Sequence, residues 1–252
     1  MISVILPVYN TKREWLEESF MSIMTQSFPY FELIIVNDCS SDPDTQNYLK
    51  LIENQQVKTK YTDKRVRVIH LKENSGPSAA RNVAVKAAKY PWIATQDADD
   101  ISFRYRFEKQ MNYLYENPEV DVLGAQLHYM VLENGEWLIS NHWDKMGSTK
   151  HHPIVHKSIA KMPSAKWFIN HCPAIYKKSM WEAVGGYDES LRGLPEDFDL
   201  WVRMLVEGAN IHNLQESLYY YRLNDGSHST NLDNKKEEWF WNEHVPKLKD
   251  KL

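Results

Sequence analysis

Residues 92–102 read WIATQDADDIS, so a short apolar run is followed at once by three carboxylates, Asp97, Asp99 and Asp100. Like charges this close together repel, and each disfavours ionisation of the others. Three interpretations are open: a solvated loop or a helix cap formed by Asp100, a pair of carboxylates for acid–base catalysis, or a site for Mg²⁺ or Mn²⁺. A divalent cation would remove the repulsion, because it favours the ionised form of every carboxylate around it.

The run before these aspartates is the last of four predicted strands that alternate with helical patterns. The strands are predicted at 2–8, 31–38, 65–71 and 92–96, and the helices at 12–27 (capped by Thr11), 42–54 and 77–89. Such strands pair in parallel through right-handed crossovers, and ligands bind beyond their carboxyl ends. We therefore expect a doubly wound α/β sheet whose rim carries the three aspartates and the polar residues that end the first two strands. Those residues are Tyr9, Asn10, Asn37 and Asp38. This position favours the cation site.

The second half of the chain is less regular, and no repeat or linker divides it. Helices are predicted at 103–116, 198–209 and 235–252 (interrupted near Pro246), a hairpin at 120–141 with its turn at Asn134–Gly135, a strand and short helix at 172–190, and a strand at 216–224. Residues 143–162 are predicted to form a long loop with a short helix. We expect one domain over residues 1–252.

Composition excludes several classes of protein. The 252 residues include 30 Lys and Arg against 34 Asp and Glu, and the basic residues are dispersed, which argues against a nucleic-acid-binding face. No run approaches the roughly 18 apolar residues of a membrane span, and the N-terminus does not resemble a signal peptide. Two cysteines cannot build a disulfide framework, so a reducing cytoplasm is expected. The C-terminal WFW stretch (239–241) is expected to pack on its own domain, with peripheral contact to a membrane surface as the alternative.

Neither of two common phosphate-binding loops is present. The first strand is not followed by G-x-G-x-x-G, and G-x-x-x-x-G-K-[ST] occurs nowhere, so a pyrophosphate would need another source of positive charge. A metal on the aspartate loop would supply it. Asp38 can accept hydrogen bonds from a nucleoside, with a cap of the DCSSD turn as the alternative. Tyr9 can stack on a base or cover the end of the sheet.

Five segments, taken in order, resemble motifs of family 2 glycosyltransferases: ISVILPVYN, ELIIVNDCSSD, ENSGPSAARNVAVKAA, WIATQDADD and GGYDESLRGLPEDFDLWVRM. The resemblance covers about residues 1–110 closely and 170–225 more loosely. It implies the GT-A nucleotide-diphospho-sugar transferase fold, a Rossmann-like, mainly parallel twisted sheet with helices on both faces and a smaller mixed acceptor-side part. It also implies a nucleotide-sugar-binding half (1–102), an acceptor-binding half (103–225) and a C-terminal helical tail (226–252).

The resemblance also implies which residues form the donor site. Those that would hold the nucleotide are Pro7, Val8, Tyr9, Asp38, Asn74, Gly76, Arg81 and Asp97. Asp99 would bind the Mn²⁺ or Mg²⁺ that bridges the diphosphate, with Asp97, Asp100 and His228 as further candidate ligands. For Arg81, an ion pair on the helix surface is the alternative.

The segment PEDFDLW (195–201) matches the Glu–Asp pair of the family, here Glu196 and Asp197. By the resemblance, Asp197 is the general base of an inverting displacement, which needs a carboxylate opposite the departing nucleotide to take the proton of the acceptor hydroxyl. The alternative is a favourable charge at a helix N-terminus. The histidines of HHPIVH (151–156) lack an established zinc-ligand spacing, and Cys172 is expected either to line the acceptor side or to be a small buried residue.

These expectations combine into a cytoplasmic, metal-dependent inverting glycosyltransferase. It would move a sugar from a UDP- or dTDP-sugar to a hydroxyl of a saccharide or lipid-linked saccharide, in cell-surface polysaccharide or glycoconjugate synthesis. One rival is a sugar nucleotidyltransferase, which usually carries a Gly-rich basic loop where this chain has PVYNTKREW. Another is a non-catalytic nucleotide-sugar-binding protein, which would not need Asp197. The oligomeric state stays open.

Overall fold

A ten-stranded sheet runs through the computed structural model, which describes residues 1–57, 64–133, 135–140, 151–161, 168–224 and 234–252. The strands are β1 (Ile2–Val8), β2 (Phe31–Asn37), β3 (Val66–His70), β4 (Trp92–Thr95), β5 (Ile101–Ser102), β6 (Val122–Glu133), β7 (Glu136–Ser140), β8 (Ile154–Val155), β9 (Ile175–Lys177) and β10 (Ile211–Arg222). The helices are α1 (Arg13–Met24), α2 (Pro43–Glu53), α3 (Pro77–Ala87), α4 (Arg106–Glu116), α5 (Lys157–Lys161), α6 (Lys178–Ala183), α7 (Glu196–Val206), α8 (Asn234–Trp239) and α9 (Val245–Lys249).

The first four strands form the predicted parallel half of the sheet. β1 lies between β2 and β4, and β2 also pairs with β3, all in parallel. Alternate residues of β1 point to opposite faces: Ile5 belongs to the same buried cluster as Ala80 of α3, whereas Leu6 belongs to that of Leu16 and Phe20 of α1. Helices therefore cover both faces, which explains why these strands are apolar throughout. The predicted fold is confirmed.

The second half of the sheet is mixed. β9 runs antiparallel between β4 and β6, β6 pairs with β10 in parallel, and β10 pairs antiparallel with β5 and β8. β7 folds back on β6 as the predicted hairpin; Gly135 has φ +84°, while Asn134 lies outside the described residues. In this order, the carboxyl end of β10 reaches the loop that follows β4. That placement brings residues 97–100 and 219–224 together.

One predicted helix cap is wrong, and one alternative that the sequence left open is excluded. Thr11 does not cap α1: Lys12 occupies the N-cap without a side-chain hydrogen bond, and the Thr11 carbonyl instead accepts from Thr45 Oγ1 at 2.7 Å. Asp100 does not cap α4, because the strand β5 intervenes and the helix begins only at Arg106. Asp42 caps α2 at the predicted start of this helix, since its carboxylate accepts the backbone N–H of Thr45.

The C-terminal segment packs against the domain, as predicted. Phe240 and Val245 are buried, and Trp241 contacts Phe198 of α7 with 5.0 Å between ring centroids. The predicted interruption near Pro246 is a π-helical turn over Phe240–His244, next to a proline that has no N–H to donate. Within the described ranges, no helix combines the length and the apolar character needed to cross a membrane. Of the predicted loop at 143–162, residues 151–161 are described and contain β8 and α5.

A glycine on β6 makes the pairing of β6 and β10 testable. A Cβ atom at Gly124 would lie 2.3 Å from Asn213 Oδ1 and 2.7 Å from Ile169 Cγ1. We expect Gly124→Ala to lower the free energy of unfolding by about 2–3 kcal/mol, because a buried backbone and side chain must shift. Chemical denaturation measures this difference. Gly135→Ala is the control, since the space around Gly135 is open and its positive φ predicts a loss of about 1 kcal/mol. Equal losses in the two variants would contradict the close approach.

Candidate active site

Buried polar side chains fix the loop that carries the three aspartates. The Asp97 carbonyl accepts hydrogen bonds from Ser19 Oγ at 2.8 Å and Gln96 Nε2 at 3.2 Å, and Gln96 Nε2 also reaches the Asp100 carbonyl at 3.0 Å. Beneath the loop, the fully buried guanidinium of Arg106 donates to Gln96 Oε1 and to the Thr95 carbonyl. The loop is therefore an ordered extension of β4 rather than a solvated turn.

Arg81 joins this loop to the Glu–Asp pair at the start of α7. Its guanidinium is 8% exposed and donates to Glu196 Oε1 at 2.7 Å and to Asp97 Oδ1 at 3.1 Å. Burial lowers the pKa of Arg81, but the charges of Asp97 and Glu196 outweigh that effect and raise it well above its ordinary value. Arg81 is thus an ion-pair residue, as the alternative held, but it is buried rather than on the helix surface, and its contact with a nucleotide stays a prediction.

The three aspartates of the loop differ in their electrostatic environment. Burial opposes ionisation of Asp97, yet Arg81 holds its pKa below the ordinary value, and its Oδ2 accepts from the Cys172 thiol at 2.9 Å. Burial and the charge of Asp97 raise the pKa of Asp99 to about 6. Burial, then Asp99 and Asp97, raise the pKa of Asp100 well above its ordinary value. The repulsion expected from the sequence is thus concentrated on Asp99 and Asp100.

The residues of this loop fit a hard divalent cation. Asp100 is 1% exposed, its Oδ1 accepts the backbone N–H of Arg222 at 2.8 Å, and its Oδ2 has no hydrogen-bond partner in the described part of the chain. Ligand atoms of Asp97, Asp100 and Cys172 lie within 4.8 Å of one another. Carboxylate oxygens are the ligands that Mg²⁺ and Mn²⁺ prefer, and a thiol is not. Asp97 and Asp100 are therefore the candidate ligands that this group contains. Asp99 is not part of the group, so its role as a metal ligand stays a prediction, and His228 lies outside the described residues.

Asp197 lies in the first turn of α7, beside Glu196. Its Oδ1 accepts the backbone N–H of Phe198 at 2.9 Å. Burial, followed by the charge of Glu196, raises the pKa of Asp197 to about 7. A carboxyl group with that pKa can both take and return a proton near neutral pH, which is what general acid–base catalysis requires.

Asp38 holds the turn that precedes α3. Its buried carboxylate accepts the backbone N–H groups of Ser75 at 2.7 Å and Gly76 at 2.8 Å, and Asn74 Nδ2 at 3.1 Å. It does not cap the DCSSD turn, because the Ser40 N–H donates to Asn37 Oδ1 instead. The predicted neighbourhood of Asp38, Asn74 and Gly76 is present, and their contact with a nucleoside stays a prediction.

Tyr9, the residue that follows β1, presents its side chain to solvent. Tyr9 is 48% exposed, Pro7 is half-buried, and Val8 is buried in the core while its carbonyl accepts the Asp38 N–H at 2.8 Å. Of the three residues around the end of β1 that are predicted to contact the nucleoside, only Tyr9 has an exposed aromatic side chain that can stack on a base. Val8 can contribute only through its backbone.

Sequence reasoning missed three residues that contact the aspartate loop, and all of them lie on β10 or directly after it. Tyr219 accepts the Asp97 N–H at 3.1 Å, Arg222 Nε donates to the Asp99 carbonyl at 2.7 Å, and Asn224 Nδ2 donates to Asp99 Oδ2 at 3.1 Å. The segment ESLYYYRLN predicts a strand, but only the pairing of β10 with β5 places its end beside the aspartates. No local signal in the sequence indicates that contact.

Comparison with known proteins identifies a matching family and several relatives. Residues 3–184 match the model of Glycosyl transferase family 2. The chain is 32% identical over 223 residues to an uncharacterized glycosyltransferase, MJ1057, of Methanocaldococcus jannaschii, covering 88% of this chain and 71% of that protein. It is also 32% identical over 233 residues to the O-antigen biosynthesis glycosyltransferase WbnJ of Escherichia coli, covering 90% of this chain and 81% of that one.

Solved structures share the fold. TarS 1–349 of S. aureus, in complex with UDP-GlcNAc, superposes with a TM-score of 0.68 at 24% identity, over 92% of this chain and 61% of that one. The mannosyltransferase PcManGT of Pyrobaculum calidifontis, in complex with GDP-Man and Mn²⁺, gives a TM-score of 0.67 at 17% identity, over 90% and 58%. The chain thus spans about three fifths of each of these solved chains.

The raised pKa of Asp99 predicts a pH-dependent instability of the metal-free protein. Since the folded-state pKa is raised from 3.8 to about 6, stability present below the ordinary pKa is lost as the pH rises through about 6. We expect Asp99→Asn to escape this loss and to be more stable than the wild type by about 1–2 kcal/mol at pH 8, with a smaller gain at pH 5. Denaturation in the presence of a chelator measures the difference.

Asp250→Asn is the matched control for this experiment, because Asp250 is exposed near the end of the chain. It should leave the pH dependence unchanged. A lower stability of Asp99→Asn at pH 8 would show that the aspartate loop is not electrostatically strained.

Proposed function

Since the chain belongs to glycosyl transferase family 2 and is a glycosyl-transferring enzyme, we propose that it moves a sugar from a UDP-sugar to an acceptor hydroxyl with inversion. In this proposal, residues 1–102 bind the donor, residues 103–225 bind the acceptor, and residues 226–252 form a helical tail. A dTDP-sugar is the alternative donor, and a saccharide or lipid-linked saccharide is the acceptor. The retained Asp197, with its pKa near 7, favours transfer over mere binding of the nucleotide-sugar.

One observation carries this proposal: the two ion pairs of Arg81. They place the aspartate loop and the Glu196–Asp197 pair on either side of one guanidinium, with N–O distances of 3.1 Å to Asp97 and 2.7 Å to Glu196. An inverting displacement needs a donor site and a general base on opposite faces of the reacting carbon. The arrangement supplies candidate groups for both within one site, although the two motifs are far apart in the sequence.

The donor is proposed from chemistry and from related proteins. TarS binds UDP-GlcNAc, and PcManGT binds GDP-Man with Mn²⁺. The exposed Tyr9 ring at the end of β1 offers a stacking surface for a base, and Asp38 offers a carboxylate near the turn formed by Asn74 and Gly76. We propose that these residues hold the nucleoside and that Asp97 faces the ribose.

Mn²⁺ or Mg²⁺ is proposed as the cofactor, held by Asp99 with Asp97 and Asp100. When bound, such an ion stabilises the negative charge that develops on a diphosphate leaving group. The residues of the chain supply the remaining functions. The loop's hydrogen bonds orient the carboxylates, and Arg81 keeps Asp97 ionised beside them.

Asp197 is proposed as the general base. With a pKa of about 7, its carboxylate is substantially ionised at neutral pH and can accept the proton of the acceptor hydroxyl as that oxygen attacks. Glu196 is engaged by Arg81 and therefore acts by its charge, which raises the proton affinity of its neighbour. The two acidic residues thus have separate roles, although they are adjacent in the sequence.

The product is proposed to be a cell-surface polysaccharide or glycoconjugate. The relatives include WbnJ, an O-antigen biosynthesis glycosyltransferase, and TuaG of Bacillus subtilis, a putative teichuronic acid biosynthesis glycosyltransferase. We propose that the reaction takes place in the cytoplasm, where Cys39 and Cys172 would stay reduced. Peripheral contact with the inner face of a membrane would bring a lipid-linked acceptor within reach.

A thermal-shift panel tests the donor and the cofactor. UDP, dTDP and GDP are each added to the protein with Mn²⁺, with Mg²⁺ or with a chelator. We expect UDP to raise the melting temperature only when the metal is present, because the diphosphate and the ion bind together. Asp99→Ala should lose this response and the turnover of the donor. Asp44→Ala, on the exposed surface of α2, is the control that should keep both. The absence of a shift with every nucleotide would overturn the proposed donor site.

Replacement of the base tests the mechanism. We expect Asp197→Asn to lower kcat by about 10³-fold or more while donor-induced thermal shifts stay close to those of the wild type. The wild-type rate should rise with pH up to about 7 and then level off, since the base is active only when it is deprotonated. Initial rates from pH 5.5 to 8.5 measure both effects. A variant with full activity, or a rate that falls as the pH rises through 7, would rule out Asp197 as the base.

A further inference from the structure

Arg222, the last residue of β10, is buried against the rings of two tryptophans. It is 1% exposed, and its guanidinium carbon lies 5.1 Å from the ring centroid of Trp15 and 4.6 Å from that of Trp137. The two rings also contact each other edge to face at 5.9 Å. Trp15 belongs to α1 and Trp137 to β7, so two elements that are far apart in the sequence pack against this side chain.

The same arginine binds the aspartate loop through both its side chain and its backbone. Its Nε donates to the Asp99 carbonyl at 2.7 Å, and its backbone N–H donates to Asp100 Oδ1 at 2.8 Å. Its side chain also forms an ion pair with the carboxylate of Glu18, which is half-exposed on α1. Asp99 and Asp100 are therefore both hydrogen-bonded to one residue that the tryptophans hold in place.

This arrangement depends on chemistry that is specific to arginine. A planar guanidinium can stack on aromatic rings while its N–H groups point in fixed directions within the ring plane, whereas an ammonium is a point charge without that geometry. Lysine at this position would keep the charge opposite Glu18. It would lack the planar group that packs against the two rings and the directed hydrogen bond from Nε to the Asp99 carbonyl.

We propose that Arg222 is a positioning residue for the donor site. The clamp formed by Arg222 and the two tryptophans it packs against, Trp15 and Trp137, holds the Asp99 backbone in the conformation that the donor site requires. Through this clamp, α1 and the β6–β7 hairpin determine the geometry of the donor site. The expected effect on catalysis rests on the proposed function, whereas the contacts of Arg222 with the loop and with the tryptophans are present without any ligand.

Two measurements on Arg222→Lys test the proposal. The first is amide hydrogen exchange of the segment 97–102 in the ligand-free protein. The second is the Mn²⁺ concentration that gives half of the UDP-induced thermal shift. We expect both the exchange rate and this Mn²⁺ concentration to rise by about tenfold, as the loss of one buried, charge-assisted hydrogen bond predicts.

Arg67→Lys is the matched control. Arg67 also pairs with a carboxylate, Glu32, and also donates to a backbone carbonyl, that of Ala87, but it lies on β3 at the far edge of the sheet. It should lower the melting temperature without changing either measurement. If Arg222→Lys does the same, with both measurements within about twofold of the wild type, Arg222 merely stabilises the fold and the proposal is overturned.

A second variant, Trp137→Leu, removes one wall of the clamp and leaves Arg222 in place. Because Trp137 lies on a partly exposed hairpin, the variant tests positioning without removing the buried charge. The same changes, smaller in size, are expected, and unchanged exchange of 97–102 would contradict the clamp. If UDP fails to shift even the wild type in the presence of Mn²⁺, the proposed donor fails, whereas the exchange data still decide on Arg222.

Discussion

The buried guanidinium of Arg81 is the group on which the site depends. A charge taken out of water is tolerated only when opposite charges and hydrogen bonds surround it, and Arg81 finds them in Asp97 and Glu196. Asp97 lies in the loop after β4, and Glu196 lies in the first turn of α7. One cation therefore holds together two segments that are far apart in the sequence. Loss of either carboxylate would leave the guanidinium partly unpaired in the interior. The ion pairs therefore determine the distance between the two halves of the candidate site.

The placement of that cation gives chemically identical residues different properties. Asp97, in contact with Arg81, has a lowered pKa, whereas Asp99, two residues further along the chain, has a pKa of about 6 and Asp197 one of about 7. Desolvation acts on all three carboxylates, and the difference between them is how directly each meets a positive charge. An acidic site assembled in this way contains one carboxylate that stays ionised and others whose ionisation responds to what binds beside them. The proposed division into ligand-binding and base functions follows from this gradient.

The sequence predicts the parts of this architecture that depend on local periodicity. Apolar strands alternating with helices predict the parallel pairing of β1 to β4, and parallel strands end on one rim, which brings Asp38 and Asp97 to the same side. Contacts between distant segments were not predictable. The pairing of Arg81 with Glu196 spans 115 positions, and that of Arg222 with the Asp99 carbonyl spans 123. The cap assigned to Thr11 was wrong, and the capping alternative for Asp100 is excluded, for the same reason, since tertiary contacts decide where α1 and α4 begin.

The environment of Asp100 links the stability of the fold to ligand binding at the site. This carboxylate is neither solvated nor a cap: it is 1% exposed and bonded through one oxygen to the backbone of Arg222. Burying an acidic group beside two others opposes its ionisation, and the surrounding structure, held by Arg106 and Arg222, keeps the loop in place despite that repulsion. Any ligand that brings positive charge to this loop binds to groups already held in position and also removes a source of instability. The repulsion that destabilises the ligand-free protein therefore adds to the affinity for that ligand, because binding and folding depend on the same carboxylates.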